Sequence, residues 1–278
     1  MAVVHGIVEW IEANKKDFEP PVCNKCMFSD QLKVFFVGGP NSRKDYHLEE
    51  GEELFYQFDG DMVLKVVENG EFKDVAIKQG EMFLLPGRVE HSPQRFEGTM
   101  GCVVERTRKP NEMDCLRYFC DSSKERLWER WVHLKDVVKD LPPLIKAFHS
   151  SEACKTGKPD ASSFVVAAPF EPVARSLEKP VNLEKFIEEH LPQLEKGPVP
   201  VFDSAKYSTQ VLLFGRGKHS IPSGEGETIV FQQRGSSKVA VEGKESGVTA
   251  FHISRVPNGK GCDLTVEEGV AVVVKMVA

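Results

Sequence analysis

The 278-residue sequence has no run of about 18 consecutive apolar residues, so it offers no candidate for a membrane-spanning helix. It also lacks an excess of positive charge: 36 lysines and arginines stand against 42 aspartates and glutamates, a formal net charge of -6. A chain that grips nucleic acid needs a basic surface for the phosphates, so nucleic acid is not an expected partner. A small anionic ligand stays open, because it responds to the local field rather than to the total. The N-terminal MAVVHGIVEWIEANKKDF has no basic segment followed by an apolar one. It reads as an amphipathic helix with Val4, Ile7, Trp10 and Ile11 on one stripe, and the cytosol is the expected address. The cysteines number 7, an odd count that predicts reduced thiols rather than a disulfide framework. Cys23 and Cys26 form a single C-x2-C with no second pair, half of a zinc or rubredoxin-type site, and read as packing or incidental thiols. What is plentiful is apolar content, at 41%, enough for a sizeable core.

From Gln31 to Glu105 short apolar runs alternate with turns. LKVFFVGG, ELFYQFDG, DMVLKVVENG, FKDVAIKQG, EMFLLPG and MGCVVE each read as strands of roughly five to eight residues. Asp59-Gly60 and Asn69-Gly70 are dipeptides that favour hairpin turns, and many short strands at even spacing predict an antiparallel sandwich or barrel. Residues 123–150, SKERLWERWVHLKDVVKDLPPLIKAFHS, carry helical spacing broken at Pro142-Pro143, with Trp128 and Trp131 as packing residues. Residues 156–176 hold prolines among small residues and read as a linker. NLEKFIEEH predicts a helix with Asn182 as its N-cap. Strand-like runs resume in TQVLLFGRG, TIVFQQRG, SKVAVEG, VTAFHIS and VAVVVKMV. The two β regions rhyme. FYQFDGDMVLKVV (55–67) and FQQRGSSKVAV (231–241) each show a strand ending in glutamine, a glycine turn and an apolar strand, which predicts an internal duplication.

The segment RKDYHLEEGEELFYQFDG (43–60) crowds four glutamates around a single histidine. A solvated acidic loop is the ordinary explanation; a metal site is the alternative. His47, Glu49 and Glu53 are separated by even numbers, so on a strand they share a face, although a bend at Gly51 could disturb that parity. His91 follows in PGRVEHSPQR. Two histidines and one carboxylate cover one face of an octahedral ion and leave three positions open, the arrangement of non-heme ferrous oxygenases. Zinc would more often be closed tetrahedrally or keep one water.

The pattern Gly39-x7-His47-x-Glu49-x3-Glu53-x6-Gly60, then Gly80-x5-Pro86-x4-His91, resembles the two motifs of the cupin superfamily. The spacing before His47 is longer than usual, and Glu49 stands where many cupins carry a second histidine. Arg88 and Arg95 replace a common glycine and a common asparagine. With these departures, and through PPVCNK, LKVFFVGGPNSRKDYH, EEGEELFYQ, GDMVLKV, GEMFLLPGRVEHSPQRF and CVVER, the chain resembles the animal-type, two-domain 3-hydroxyanthranilate 3,4-dioxygenases. The likeness is close over most of the first 120 residues and looser beyond.

That resemblance implies a mainly β chain of two cupin-type (jelly-roll) barrels with peripheral helices. A catalytic domain would span 1–155, a linker 156–176, and a degenerate, metal-free cupin domain 177–278. It implies one ferrous ion (Fe2+) per chain, held by His47, Glu53 and His91, with Arg43 on the oxygen side and Arg95 and Glu105, beside Glu53, holding the substrate. The small aromatic substrate would chelate the ion through its amine and hydroxyl. Ring opening by O2 would give 2-amino-3-carboxymuconate semialdehyde, the precursor of quinolinate on the route from tryptophan to NAD. An arginine fork suits the substrate carboxylate, which favours Arg95, while Glu105 at the end of CVVER could take a proton. Glu49 is not carried over as a ligand. His219 with Glu225 and Glu227 reads as a remnant of the first motif in the second barrel. Two barrels in one chain could imitate a dimer of single-barrel relatives, so a monomer is expected. Two rival readings are a metal-holding double barrel without turnover and a zinc-dependent sugar-phosphate isomerase on a similar barrel.

Overall fold

The computed structural model describes the whole chain except Pro21, Val22, Ser122 and Ala278, so two residues of the PPVCNK segment lie outside the described residues. The chain opens with strands β1 (Val3–Gly6), β2 (Asn24–Ser29), β3 (Leu32–Gly38), β4 (Asn41–Ser42), β5 (Tyr46–Leu48), β6 (Glu53–Asp59) and β7 (Met62–Glu68). Next come β8 (Glu71–Ile77), β9 (Glu81–Leu85), β10 (His91–Arg95), β11 (Met100–Arg106), β12 (Asp114–Phe119) and β13 (Arg126–Val132). The second half carries β14 (Val181–Asn182), β15 (Val199–Pro200), β16 (Gln210–Phe214) and β17 (Gly217–Ile221). It ends with β18 (Thr228–Val241), β19 (Lys244–Thr249), β20 (His252–Val256) and β21 (Cys262–Lys275). The helices are peripheral: α1 (Ile7–Ala13), α2 (Val137–Ser150), α3 (Glu152–Thr156), α4 (Leu183–Glu189) and α5 (Leu191–Leu194). No helix among the described residues is long and apolar enough to cross a membrane.

The chain is mainly β and builds two barrels, as the resemblance implied. In the first, a sheet of order β13-β12-β5-β10-β7-β8, with β4 beside β10, packs on a sheet of order β14-β9-β6-β11-β3-β2. Phe55, Leu64, Val66, Ile77, Phe83 and Val103 fill the space between them. The second barrel is one sheet, β1-β20-β18-β21-β16-β15, with β17 on β21 and β19 on β18. Its core holds Val230, Val239, Val241, Leu264 and Val273. A third and larger cluster lies between the barrels, where Phe36, Leu54, Tyr56 and Leu84 meet Leu213, Phe231, Ile253 and Val272. The strands β3, β6 and β11 are therefore covered on both faces, which is why they read as near-continuous apolar runs rather than alternating ones.

Several expectations need correction. The N-terminal stripe is not one helix: Val4 lies in β1, antiparallel to β20, and the helix begins at Ile7. Sheet pairing overrides the helical spacing there. Asn69-Gly70 does join a hairpin, β7 to β8, with both residues at positive φ. Asp59-Gly60 does not: β6 and β7 lie in different sheets, and the turn carries the chain from one to the other. Residues 126–132 form a strand, not a helix, with Trp128 fully buried and Trp131 nearly so, as packing residues. Pro142 and Pro143 lie inside α2 rather than ending it. The packing of Leu141, Leu144, Ile145 and Phe148 against Tyr118 and Trp128 outweighs the two lost backbone bonds. The stretch before β14 is docked onto the first barrel, with Val173 N donating to Arg88 O at 2.9 Å and Phe170 against Trp131. Asn182 caps α4, its side chain accepting from Lys185 N.

The rhyme between the halves takes a different form from the one expected. TIVFQQRG and SKVAVEG are a single strand, β18, bent by bulges near Gln232 and Ser236. Its first half pairs with β20 and its second with β19, and β21 runs beside both. In the first barrel β6 pairs with β9 and β11, while β7 pairs with β8 and β10. The neighbours correspond one for one, with β18 standing for β6 plus β7 and β21 for β10 plus β11. That correspondence carries the duplication; the glycine turn does not.

Candidate metal centre and active site

The site forms where β5, β6, β10 and β11 meet. His47 on β5 lies directly opposite His91 on β10, with ring centroids 5.3 Å apart. Glu53 starts β6 and opposes Glu105 on β11. Between β5 and β6 the chain bends at Glu50-Gly51, and this bend brings Glu53 back beside His47. The bend is held by the turn before His91, where Arg88 N donates to Glu49 O at 2.6 Å. A Cβ on Gly87 would meet Glu50 O at 2.3 Å, so only glycine allows this approach. Arg88 occupies the position of the common cupin glycine and takes a glycine-like φ of 62°. Its side chain is held by Glu50 at 2.7 Å and by the Phe170 ring, 4.8 Å away.

The donor atoms of His47, Glu53 and His91 all lie within 4.8 Å of one another. His91 Nδ1 is 3.0 Å from Val89 O, which leaves Nε2 facing Glu53 Oε1 at 2.9 Å. That contact is at ion-pair distance, yet Glu53 Oε1 has no hydrogen-bond partner and is buried. His47 Nε2 is 2.7 Å from Asp114 Oδ2, and its Nδ1 looks toward Glu53 Oε1 at 3.9 Å. Two further triplets, His47-Glu49-Asp114 and Glu49-Glu53-Glu105, also lie close enough to hold an ion. They are distinguished by what engages them. Glu49 and Asp114 sit against the Arg108 guanidinium, at 2.9 Å each, and neither lines the cavity. His47, Glu53 and His91 do line it. Two imidazoles and a carboxylate with a buried, unpartnered oxygen fit a ferrous ion.

Burial pushes the Glu53 carboxyl up, but the His91 imidazolium beside it wins and holds Glu53 well below the usual carboxylate range. Burial likewise opposes charge on His91, and the Glu53 carboxylate outweighs it, raising the imidazole. A metal ion would take the place of the proton on His91 Nε2. Glu49 is pushed well up, by burial first and then, against Arg108, by the neighbouring Glu105, Glu53 and Asp114 carboxylates.

The cavity measures about 450 Å³. Its apolar walls come from Phe35, Val37, Phe55 and Val103 on one side and from Leu141 and Ile145 of α2 on the other. All six residues singled out from the sequence line it: Arg43, His47, Glu53, His91, Arg95 and Glu105. Arg95 lies four residues after His91 on β10, on the same face by strand parity. It is 4% exposed, and its Nη1 donates to Gln57 Oε1 at 3.3 Å. Among the described residues no carboxylate lies at ion-pair distance from it. Burial pulls its pKa down to about 10, so it stays charged at neutral pH while lacking a counter-ion. Gly101 makes room for it, since a Cβ there would meet Arg95 Nη1 at 2.5 Å. Arg43 differs: its Nε donates to Asp45 Oδ2 at 3.0 Å, so its charge is already balanced. Glu105 accepts from Arg108 Nη1 at 2.6 Å.

Arg108, Asp114, Gln57 and Gly101 were not anticipated; no spacing or motif marks them. In the second barrel His219 Nε2 is 2.8 Å from Gly215 O, Glu225 is exposed and Glu227 is buried elsewhere. The three do not converge on a donor cluster. Cys23 and Cys26 are free thiols, and burial raises both.

The family profile for 3-hydroxyanthranilic acid dioxygenase matches residues 2–149. A 3-hydroxyanthranilate 3,4-dioxygenase of Caenorhabditis elegans is 51% identical over 277 residues, 98% of this chain and 97% of that protein. The chain belongs to the 3-hydroxyanthranilate dioxygenase family. A human 3-hydroxyanthranilate 3,4-dioxygenase is 46% identical over 240 residues, 86% of this chain and 84% of that one. Among solved structures, a salicylate 1,2-dioxygenase from Pseudaminobacter salicylatoxidans aligns with a TM-score of 0.62 at 10% identity, covering 99% of this chain and 84% of that chain. At that identity the likeness speaks for the double-barrel fold alone.

Proposed function

We propose that the protein uses O2 to open the ring of 3-hydroxyanthranilate between its hydroxyl-bearing carbon and the unsubstituted carbon beside it, giving 2-amino-3-carboxymuconate semialdehyde, from which quinolinate and then NAD derive. The observation that carries this reading is a cavity cation with no carboxylate at ion-pair distance among the described residues. Arg95 is buried, charged and short of a carboxylate, and it shares a wall with His47, Glu53 and His91. A substrate with one carboxylate and a neighbouring amine and hydroxyl answers both ends of that wall.

In this reading His47, Glu53 and His91 would hold one Fe2+ per chain. When bound, the ion supplies electron transfer between the chelated ring and dioxygen. The protein's own groups do the rest. Arg95 receives the carboxylate through its planar fork and fixes the ring's orientation. Glu105 faces the substrate's polar edge and takes the proton released when the hydroxyl binds. Arg43, kept charged beside Asp45, offers N–H donors on the oxygen side. Phe35, Phe55 and Val103 exclude water, which strengthens each of these interactions. We further propose the division into a catalytic domain (1–155), a linker (156–176) and a metal-free cupin domain (177–278). The apolar face that a single barrel would bury in a dimer is covered here within one chain, which supports a monomer. Seven free cysteines support a reducing compartment such as the cytosol.

The test is anaerobic loading with Fe2+, then oxygen uptake on adding 3-hydroxyanthranilate. Uptake stoichiometric with substrate, lost in His47→Ala, is expected. Absence of uptake in iron-loaded protein, or iron and turnover both retained in His47→Ala, would overturn the reading.

A further inference from the structure

We infer that Arg108 is a positioning residue that sets the metal wall and the substrate wall of the site together, acting through Asp114 and Glu105. The inference rests on the ferrous reading of His47, Glu53 and His91 and extends it to residues outside both motifs. The Arg108 side chain is 3% exposed. Its Nη1 donates to Glu105 Oε1 at 2.6 Å, and its Nη2 donates to Asp114 Oδ2 at 2.9 Å. Its Nε reaches the same Asp114 carboxylate at 3.2 Å, and Nη2 also lies 2.9 Å from Glu49 Oε1. One guanidinium thus gathers three carboxylates from three segments: the bend after β5, the end of β11 and the start of β12.

Two of those contacts lead to functional groups. Asp114 Oδ2 sits 2.7 Å from His47 Nε2. An ionised Asp114 there accepts the Nε2–H, which fixes the tautomer and leaves the Nδ1 lone pair facing Glu53 and His91. Arg108 holds the Asp114 carboxylate in place, with both Nε and Nη2 on it. The second contact holds Glu105 at the cavity wall, opposite Glu53. Only a planar fork can serve both at once; the point charge of a lysine cannot span them. A guanidinium present merely to neutralise buried charge would be replaceable by any cation and would leave the two walls independent.

The full-length chain is titrated anaerobically with Fe2+, KM and kcat are read from oxygen uptake at saturating iron, and circular dichroism and melting report the fold. Asp114→Asn should bind Fe2+ roughly 10–100-fold more weakly, with KM at saturating iron within about two-fold of the parent. Arg108→Gln should weaken Fe2+ binding by a similar factor and also lower kcat through Glu105. The Arg108→Gln, Asp114→Asn double variant should lose no more iron affinity than Asp114→Asn alone, because both act through one contact. Additive losses in the double variant, or Fe2+ affinity within about two-fold of the parent in Asp114→Asn, would overturn the inference. Should Arg108→Gln not fold, Arg108→Lys decides: parental iron affinity and kcat in that variant would leave charge neutralisation as the whole role. An unaltered chain that binds no Fe2+ would sink the ferrous reading itself, a different result from a tight-binding Asp114→Asn.

Discussion

Replacing Arg95 with glutamine should weaken catalysis and strengthen the fold. In the free protein the guanidinium is buried, with a 3.3 Å hydrogen bond to Gln57 and no carboxylate at ion-pair distance among the described residues. A charge held in that way costs more to desolvate than one neutral hydrogen bond returns, so Arg95→Gln should gain about 1 kcal/mol or more. For domains of 150–250 residues each kcal/mol moves Tm by about 2–4 °C. With substrate bound the sign reverses. Removing one partner of a buried, hydrogen-bonded charge pair costs about 2–5 kcal/mol. At about 1.4 kcal/mol per tenfold, kcat/KM should fall by about 30-fold to a few thousand-fold. The oxygen electrode reads this with two substrates, 3-hydroxyanthranilate and 2-aminophenol, which keeps the chelating pair and lacks the carboxylate. The unaltered protein should prefer the first by that same factor, and in Arg95→Gln the preference should collapse toward one. A variant that melts several degrees lower yet keeps the preference would refute the reasoning, because Arg95 would then be a structural cation.

Gly101→Ala places a methyl group 2.5 Å from Arg95 Nη1 and 2.4 Å from Gln57 Oε1. It should raise KM for 3-hydroxyanthranilate about tenfold or more while Fe2+ binding, measured by titration, stays unchanged. The Glu53–His91 pair should give the metal-free chain a pH-dependent stability. Glu53 is depressed from 4.5, so its contribution is present above that value and lost as pH falls through the folded pKa; His91 is raised from 6.5, so its contribution is present below that value and lost as pH rises through the folded pKa. The Tm difference between the metal-free parent and His91→Gln should therefore peak between pH 4.5 and 6.5 and shrink toward pH 9. A difference that grows with pH would contradict the pairing. At position 88, alanine keeps the positive φ and drops both the Glu50 and Phe170 contacts, whereas glycine relieves the backbone. Urea unfolding should find Arg88→Ala less stable than Arg88→Gly by about 1 kcal/mol.

The parts of the site that were legible in the sequence are those fixed by short-range geometry. His91 and Arg95 share one strand, so parity alone puts both on the cavity face. His47 and Glu53 are tied by one bend whose glycine partner, Gly87, lies four residues before His91. The parts that were not legible depend on which segments meet. Asp59-Gly60 and Asn69-Gly70 have the same turn chemistry, yet one joins neighbours in a sheet and the other joins two sheets. Local sequence records the turn and not the destination. In RLWERWV, Leu127, Trp128, Glu129 and Trp131 are all buried because strand β13 is covered on both sides. Burial on both faces erases the alternation that marks a strand, and the three-residue spacing of the tryptophans then imitates a helix. Arg108 and Asp114 looked like ordinary charges because their meaning lies in a tertiary contact with His47.

The same two-sided sheet gives the second barrel a part in the site. Along β6, Glu53 and Phe55 face the cavity while Leu54, Tyr56 and Phe58 face the second barrel. Tyr56 Oη donates to Gln233 Oε1 at 3.1 Å across that boundary. The strand that carries Glu53 is thus clamped from behind, and a carboxylate held to within a few tenths of an ångström needs such a backing. Glu227, a member of the expected motif remnant, has been turned to this use. It is 2% exposed, and its Oε2 accepts from Leu32 N at 2.8 Å at the start of β3, while Oε1 lies 3.6 Å from Arg255 Nε. Glu52, one residue before Glu53, accepts in turn from Ser208 and Thr209 of the second half. Carboxylates at the barrel boundary tie backbone to backbone, and the rigidity they lend passes through β3 and β6 to the wall that carries Glu53.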